Sequence, residues 1–154
     1  MKIKYKKLSS EIVHPTQPIP GNSGWDVRAS TKLIINAYKT IRAGTGLSVE
    51  VPKGYEIQVR GRSNIAVEKG LTISQGIGTI EQGFTGEIQV FLRNMEPYTK
   101  VIEPGEIIAQ IVVKEVPEIE WVETPKLAKV EERKKEMPKT TETKTTEVKE
   151  EKRV

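Results

Sequence analysis

Residues 76–94 read GIGTIEQGFTGEIQVFLRN, a glycine-rich stretch followed by an alternating apolar segment. Ile88, Val90 and Leu92 recur at every second position, as they do in a strand with one buried face. The same alternation recurs in GLSVEVP (46–52) and YEIQVRG (55–61), and glycine and proline interrupt the chain about every ten residues. Short alternating segments between such turns predict an all-β fold: a sandwich, a barrel or a jelly roll.

One segment departs from this pattern. SNIAVEK (63–69) contains residues that propagate a helix, and Ser63 is a residue type that often caps one. We therefore expect one or two helical turns here, with Ser63 as the N-cap.

Composition excludes several classes of function. The chain has 154 residues, enough for one domain with a core. It has no cysteine, which excludes thiol chemistry, and its single histidine, His14, excludes a multi-histidine zinc site. No apolar run is long enough to cross a bilayer, and no apolar segment follows the basic N-terminus as in a secretory signal. We expect no membrane partner and a cytoplasmic location, or the host cytoplasm if the source is a virus.

Most of the net positive charge lies in the last thirty residues. Ten of the 25 basic and seven of the 21 acidic residues lie in 125–154, so the preceding residues are close to neutral at +1. Without a basic face, nucleic acid is not expected as a partner. The last thirty residues have no aromatic residue and no glycine. This change predicts a β-domain over 1–124 and a mostly disordered tail over 125–154, in which 126–136 could form a short helix.

Two segments place charged side chains beside small residues. NSGWDV (22–27) sets Asp26 beside a tight backbone, where the alternative is an aspartate that satisfies turn amides. GRSNIA (61–66) offers Arg62, which can bind phosphate oxygens in a fork, and Ser63 at a helix start, where backbone amides favour anions. The alternative here is a helix cap beside a surface arginine. With so little histidine and cysteine, such groups suit phosphate ester chemistry assisted by a divalent ion.

Two further segments are candidates for binding. In residues 75–86 four glycines surround Glu81 and Phe84, so the backbone could approach a base edge while Phe84 lies under a sugar. The alternative is a glycine-rich hairpin with a core phenylalanine. Gln110 lies within the apolar strand sequence of PGEIIAQI (104–111), where its amide needs a partner, either a ligand or a neighbouring backbone group.

The four segments, in this order and at these spacings, resemble the motifs of the trimeric deoxyuridine triphosphatase (dUTPase) family. SGWDV is similar to the family's Ala-Gly-Tyr-Asp-Leu, and GRSNIA to Pro-Arg-Ser-Gly-Leu-Ala. GIGTIEQGFTGEI is similar to Gly-Val-Ile-Asp-x-Asp-Tyr-x-Gly, and PGEIIAQIV to Gly-Asp-Arg-Ile-Ala-Gln-Leu. The resemblance spans residues 22–113. It implies a distorted jelly-roll barrel that hydrolyses dUTP to dUMP and pyrophosphate with Mg²⁺.

The resemblance also implies how the triphosphate is bound. Asp26 would help to organise the magnesium–triphosphate complex through ordered water, without ligating the metal directly. Arg62, Ser63 and Gln110 would hold phosphate oxygens, and Asn64 would belong to the same substrate-binding set.

The nucleoside would be bound by the glycine-rich hairpin. The backbone near Gln75 and Gly78 would read uracil, and Phe84, in place of the family's tyrosine, would pack on the deoxyribose and leave no room for a 2′-hydroxyl. Glu81, in place of the family's aspartate, would activate the water that attacks the α-phosphorus. Three chains build three sites at their interfaces in this family, so a homotrimer is expected.

Departures from the family motifs leave other functions open. Glu81 is one methylene longer than aspartate, Gln75 replaces asparagine or aspartate, and the family's glycine-rich C-terminal motif has no counterpart in this sequence. The main alternative is a nucleotide-binding regulatory module of the same fold with little or no hydrolysis; a trimer that binds no nucleotide is another. A dCTP deaminase is disfavoured, because Phe91 stands where that related group has a proton-shuttling glutamate.

Overall fold

A computed structural model describes residues 1–127, which contain ten strands and one short helix. A compact unit spans Met1–Ile119, and the chain from Glu120 belongs to a second unit. The elements are β1 (Lys4–Lys7), β2 (Trp25–Arg28), β3 (Leu33–Ile35), β4 (Thr40–Glu50), β5 (Tyr55–Arg60), α1 (Ser63–Lys69), β6 (Leu71–Ile73), β7 (Ile77–Ile80), β8 (Glu87–Asn94), β9 (Lys100–Ile102) and β10 (Ile107–Glu115).

The strands form three antiparallel sheets. Two sheets have four strands each, in the orders β1-β4-β8-β6 and β2-β10-β5-β7, and β3 pairs with β9 in a third. Neighbours in each large sheet are distant in the chain, so long connections cross between the sheets, as in a jelly roll. The predicted all-β class and jelly-roll architecture are confirmed.

The alternating positions of β8 form part of the core. Ile88, Val90 and Leu92 are fully buried, and they share one hydrophobic cluster with Ile57 and Val59 from β5 in the other large sheet. Burying each such side chain contributes about 1.5–3 kcal/mol, which explains why the two-residue period identified this strand. The core thereby sets the position of β5, whose two ends lead to the candidate site residues.

The helix lies where it was expected, but its cap does not. Helix α1 spans Ser63–Lys69 and ends at Gly70, which adopts the left-handed conformation (φ 61°) and donates to the carbonyl of Ala66. The N-cap position belongs to Arg62, with extended backbone (φ −106°, ψ 143°) and no side-chain cap. The prediction of Ser63 as N-cap is therefore wrong, because the backbone after β5 stays extended through Arg62 and Ser63 is already helical.

The predicted division at residue 124 remains a prediction. The expected disorder of the tail and the suggested helix over 126–136 fall almost entirely outside the described residues, which end at 127. Among residues 1–127, no helix has the length and apolar character needed to cross a membrane.

Candidate active site

Strand β10 brings together two of the sequence-predicted segments. It lies between β2 and β5, and Gln110 is in register with Asp26 on one side and Arg60 on the other. Side chains in register across an antiparallel sheet lie on the same face. Residues 26, 60 and 110, far apart in sequence, thus form one row where β5 leads into Arg62.

Asp26, a member of this row, forms an ion pair with Arg62, which lies two residues beyond Arg60. Arg62 Nη1 donates to Asp26 Oδ2 over 2.8 Å; Asp26 is 4% exposed, whereas the Arg62 side chain is 24% exposed. Burial raises the pKa of Asp26 above its ordinary value of 3.8, and the guanidinium groups of Arg62 and Arg28 oppose this rise without cancelling it. The pair holds the Arg62 guanidinium in one orientation, with part of it open to solvent.

Gln110 has a backbone partner. Its Nε2 donates to the carbonyl of Gly61 over 2.8 Å, next to Arg62. A Cβ atom at position 24 would overlap Gln110 Oε1, so only glycine leaves room for this side chain. The backbone partner named as one alternative from sequence is therefore present, and it aligns the second and fourth motifs.

Ser63 and Asn64 begin helix α1. The Ser63 side chain is exposed, and Asn64 Oδ1 accepts from the backbone N–H of Ile65 over 2.9 Å. Both residues directly follow Arg62, so their positions depend on the same junction of β5 and α1. Asn64 keeps its side-chain NH₂ group as a donor.

The β6–β7 connection carries Gln75 and leads to Gly78 in β7; the hairpin expected from the sequence is not formed, because β6 pairs with β8 and β7 pairs with β5. The turn in this connection closes with a hydrogen bond from Gly76 N to the carbonyl of Ile73 (3.0 Å), and Gly76 has a φ of 78°. Gly78 is buried opposite Val59 of β5. A Cβ there would lie 3.1 Å from Gln75 Nε2 and 3.3 Å from Val59 Cβ, so a larger residue would displace Gln75.

Glu81 and Phe84 are the two ends of one tight turn. Phe84 N donates to the carbonyl of Glu81 (3.2 Å), and Gly83 at the third position has a φ of 77°, as a type II turn requires. Glu81 is exposed, and Phe84 is 39% exposed with its ring against Gly86. Phe84 is not a core residue, and the alternative of a hairpin with a core phenylalanine is wrong.

Within one chain, the strand register places Arg62 and Glu81 at opposite ends of the β5–β7 pair. Arg60 pairs with Ile77, whereas Ile57 pairs with Ile80. These two rows alone are about 10 Å apart, and both motifs lie beyond them. The residues around Arg62 and the Glu81–Phe84 turn therefore lie at different places on the chain's surface.

The acidic groups of residues 1–127 provide no cage for a metal. Among residues 1–127, no three His, Asp or Glu side chains cluster in a way that would hold an ion. The carboxylate nearest the basic group, Asp26, already accepts from Arg62. This donor set fits a Mg²⁺ ion that is bound mainly by substrate oxygens and water.

Sequence reasoning missed the contacts of Gln110. Gly24 and Gly61 contact its side chain from 86 and 49 positions away, and no local pattern relates the three. It also missed Gln82, whose side chain accepts a hydrogen bond from Gly54 N over 3.1 Å. A hydrogen bond from one side-chain amide to a turn 28 residues away leaves no pattern in the sequence.

Comparisons with known proteins identify the family of this chain. The model of the dUTPase family matches residues 10–141. A deoxyuridine 5′-triphosphate nucleotidohydrolase from Chlamydia muridarum is 44% identical over 120 residues, covering 77% of this chain and 83% of that protein. The protein of the same name from Aquifex aeolicus is 40% identical over 122 residues, covering 78% and 81%.

Solved structures share the fold. The dUTPase of Staphylococcus bacteriophage 80alpha, solved with dUPNHPP, superposes with a TM-score of 0.78 at 21% identity, covering 86% of this chain and 93% of that one. A mutant dUTPase from phage phi11 of S. aureus, described with a structural Mg(II) ion, gives a TM-score of 0.76 at 17% identity, covering 84% and 100%. From its motifs, its fold and these relatives, the chain belongs to the dUTPase family.

Proposed function

We propose that this chain is a dUTP diphosphatase in which Glu81 activates the water that attacks the α-phosphorus of dUTP. The observation that carries the proposal is that the fold gathers the candidate side chains into two groups at opposite ends of the β5–β7 pair. The cationic junction at Arg62 suits the triphosphate, and the glycine-rich β7 strand with its Glu81–Phe84 turn suits the nucleoside and the attacking water.

The triphosphate is bound by Arg62, Ser63, Asn64 and Gln110. Arg62 presents a partly exposed guanidinium that can donate to phosphate oxygens, and Asp26 holds it in place. Asp26 also organises the hydrated magnesium–triphosphate complex through water. The Gln110 amide and the hydroxyl of Ser63 add neutral hydrogen bonds beside it.

A Mg²⁺ ion bound to the substrate would neutralise phosphate charge and favour departure of pyrophosphate. The protein's part is to orient that complex from outside, through Asp26 and Arg62. This fits the lack of a three-carboxylate cluster among residues 1–127. The phi11 protein's Mg(II) ion belongs to a relative at 17% identity and supports only the general expectation of a divalent ion.

The uracil and deoxyribose lie along β7. The backbone near Gln75 and Gly78 reads the pyrimidine edge, since β7 is an edge strand whose outer N–H and C=O groups have no strand partner within the sheet order. The exposed ring of Phe84 packs on the deoxyribose and excludes a 2′-hydroxyl. These contacts select dUTP over dTTP and UTP by shape.

Glu81 acts as the general base. The water oxygen forms a bond to the α-phosphorus while the bond to the α–β bridging oxygen breaks, and the water proton passes to the Glu81 carboxylate. The products are dUMP and pyrophosphate. An exposed carboxylate on a tight turn can reach a water, provided that the turn is held still.

Complete sites form between subunits of a homotrimer. Because one chain places Arg62 and Glu81 at opposite ends of the β5–β7 pair, a second chain has to supply the missing group. Cyclic symmetry then repeats the same interface three times and produces three equivalent sites.

The first test is a chromatographic turnover assay of wild type and Glu81→Gln with dUTP, dCTP, dTTP and UTP, with and without Mg²⁺. We expect dUMP and pyrophosphate from dUTP alone, and loss of turnover in the variant. Tight dUTP binding without turnover in the wild type would instead identify a regulatory binding module. Consumption of dCTP would identify a deaminase.

The second test mixes two inactive chains. Arg62→Ala and Glu81→Gln are each expected to be inactive, but a refolded equal mixture should recover about a quarter of wild-type activity, since half of the chains supply each intact group at random. An inactive mixture that still forms mixed trimers would show that both groups act within one chain.

A further inference from the structure

The turn that carries Glu81 lies against a second tight turn. Pro52–Tyr55 closes with a hydrogen bond from Tyr55 N to the carbonyl of Pro52 (3.2 Å), and Gly54 in its third position has a φ of 80°. This turn joins β4 to β5, the strand that leads to Arg62 at its other end. The two type II turns are thus neighbours at one end of the β5–β7 pair.

The backbone of Val51 links the two turns. Gly83 N donates to the carbonyl of Val51 over 3.1 Å, and Val51 N donates to the carbonyl of Phe84 over 3.4 Å. Val51 is 2% exposed and belongs to the core cluster. These bonds hold the second half of the Glu81 turn, Gly83 and Phe84, to the body of the protein.

The first half of the turn is held by a side chain. Gln82 Oε1 accepts from the backbone N–H of Gly54 over 3.1 Å. Among the hydrogen bonds of residues 1–127, it is the one that a side chain within the Glu81–Phe84 turn makes to the rest of the protein. Without it, Glu81 and Gln82 would make no direct hydrogen bond to the protein outside the turn, and would be held by the β7 pairing that ends at Ile80 on one side and by the Val51 bonds of Gly83 and Phe84 on the other.

The position of this bond matters because of Gly83. Glycine allows many backbone conformations, so the turn can change shape between the anchored Phe84 and Glu81. An error of about 1 Å in the position of a catalytic group can lower a rate about a hundredfold. The hydrogen bond between Gly54 N and Gln82 Oε1, the Gln82 clamp, restricts the part of the turn that directs the Glu81 carboxylate.

We propose that Gln82 is a positioning residue for Glu81, through its hydrogen bond to Gly54. This inference rests on the proposed role of Glu81 as the base. Phe84 keeps its own bond to Val51 and its packing on Gly86, so nucleoside binding does not depend on Gln82. The clamp acts on the chemical step.

The test compares two substitutions of similar length. Gln82→Met removes the acceptor, and Gln82→Glu keeps an acceptor oxygen for Gly54 N. The added charge of Glu lies near Glu81, so kcat is compared on the high-pH plateau of each rate profile. Gln89→Met, on β8 and outside the proposed machinery, is the control.

We expect Gln82→Met to lower the plateau kcat roughly tenfold while the KM for dUTP changes less than about twofold. Gln82→Glu should recover kcat to within about threefold of wild type, and Gln89→Met should leave it unchanged. A purely structural contact would lower thermal stability without separating kcat from KM.

Three results would overturn the inference: an unchanged kcat in Gln82→Met, a change confined to KM, or a loss that Gln82→Glu does not recover. Glu81→Gln, assayed in parallel, separates the two proposals. If Glu81→Gln is inactive and Gln82→Met is normal, only the positioning role fails. If Glu81→Gln remains active, the proposed base itself is wrong.

Discussion

At the scale of single residues, Asp26 combines an unfavourable burial with a short ion pair to Arg62. The fold leaves it 4% exposed and pairs it with Arg62 at 2.8 Å, yet burial outweighs the nearby cations and raises its pKa. A carboxylate whose folded-state pKa is raised favours folding most at low pH. That contribution is lost as the pH rises from 3.8 through the higher folded-state value.

Asp26→Asn should therefore separate stability from activity. It removes the buried charge but keeps an oxygen that Arg62 can contact. We expect its free energy of unfolding at neutral pH to equal or exceed that of wild type, with the difference shrinking as the pH falls towards 3.8. The kcat/KM for dUTP should fall at least about tenfold, because Arg62 loses its charged partner. Urea unfolding at several pH values and steady-state kinetics measure both. A less stable variant at neutral pH would contradict the account of burial.

The substitution Glu81→Asp tests whether the position of the turn suits a glutamate rather than the shorter aspartate. The turn is anchored through Val51 and Gly54, so its backbone cannot simply advance to compensate for a shorter residue. In Glu81→Asp the carboxylate would lie about 1 Å further from the attacking water. We expect kcat to fall by roughly 10- to 100-fold. Pre-steady-state rates of dUMP formation would show the loss. A faster aspartate variant would mean that the backbone here suits the family's residue better than its own.

At the scale of elements, the β7–β8 connection shows how turn chemistry places function. Gly83 at φ 77° lets Glu81 and Phe84 stand at opposite ends of one type II turn. The β6–β7 turn, which crosses from one large sheet to the other, and the β5–α1 junction are similarly short connections between packed elements. Side chains on such connections are positioned by the sheets that flank them.

Gly83→Ala should affect catalysis beyond its effect on stability. A β-carbon is strained at this φ, so we expect a loss of about 1 kcal/mol in stability and a fall in kcat of roughly tenfold as the turn changes shape. Gly21→Ala is the matched control: its φ is 91°, and at both glycines an added Cβ would have no atom within 4 Å. Thermal denaturation and kinetics of both should show similar losses of stability but a kinetic defect only at position 83. Equal kcat values for Gly83→Ala and Gly21→Ala would mean that the shape of the Glu81–Phe84 turn does not affect catalysis.

At the scale of the whole molecule, one chain places Arg62 and Glu81 at opposite ends of the β5–β7 pair, so the proposed site predicts a homotrimer. Light scattering should give a mass about three times 17.3 kDa. The Asn94 side chain shows how the subunit keeps its shape: it is fully buried and donates to the carbonyls of Ile35 and Tyr98.

Truncation after Val122 tests the charged C-terminal stretch. That stretch has more basic than acidic residues, and we expect its positive charge to attract the triphosphate. Its removal should raise KM for dUTP about two- to fivefold at low salt, with kcat unchanged and the difference reduced at high salt. A kcat/KM that stays the same at every salt concentration would exclude any catalytic role for it.

Local chemistry was sufficient for much of this protein. The two-residue alternation identified β8 because one face of that strand is buried, and the helix over 63–69 followed from residue propensity. The ordered motifs around Asp26, Arg62, Glu81 and Gln110 identified the family, since short segments carry the residue types that the chemistry needs.

Only the tertiary structure decided the relations between those segments. Ser63 is not the N-cap, because the path of β5 sets where the helix starts. The ion pair of Asp26 with Arg62, the contact of Gln110 with Gly24 and Gly61, and the clamp from Gln82 to Gly54 all join residues separated by many positions. Strand order and register determine such contacts, and these depend on how the whole core packs.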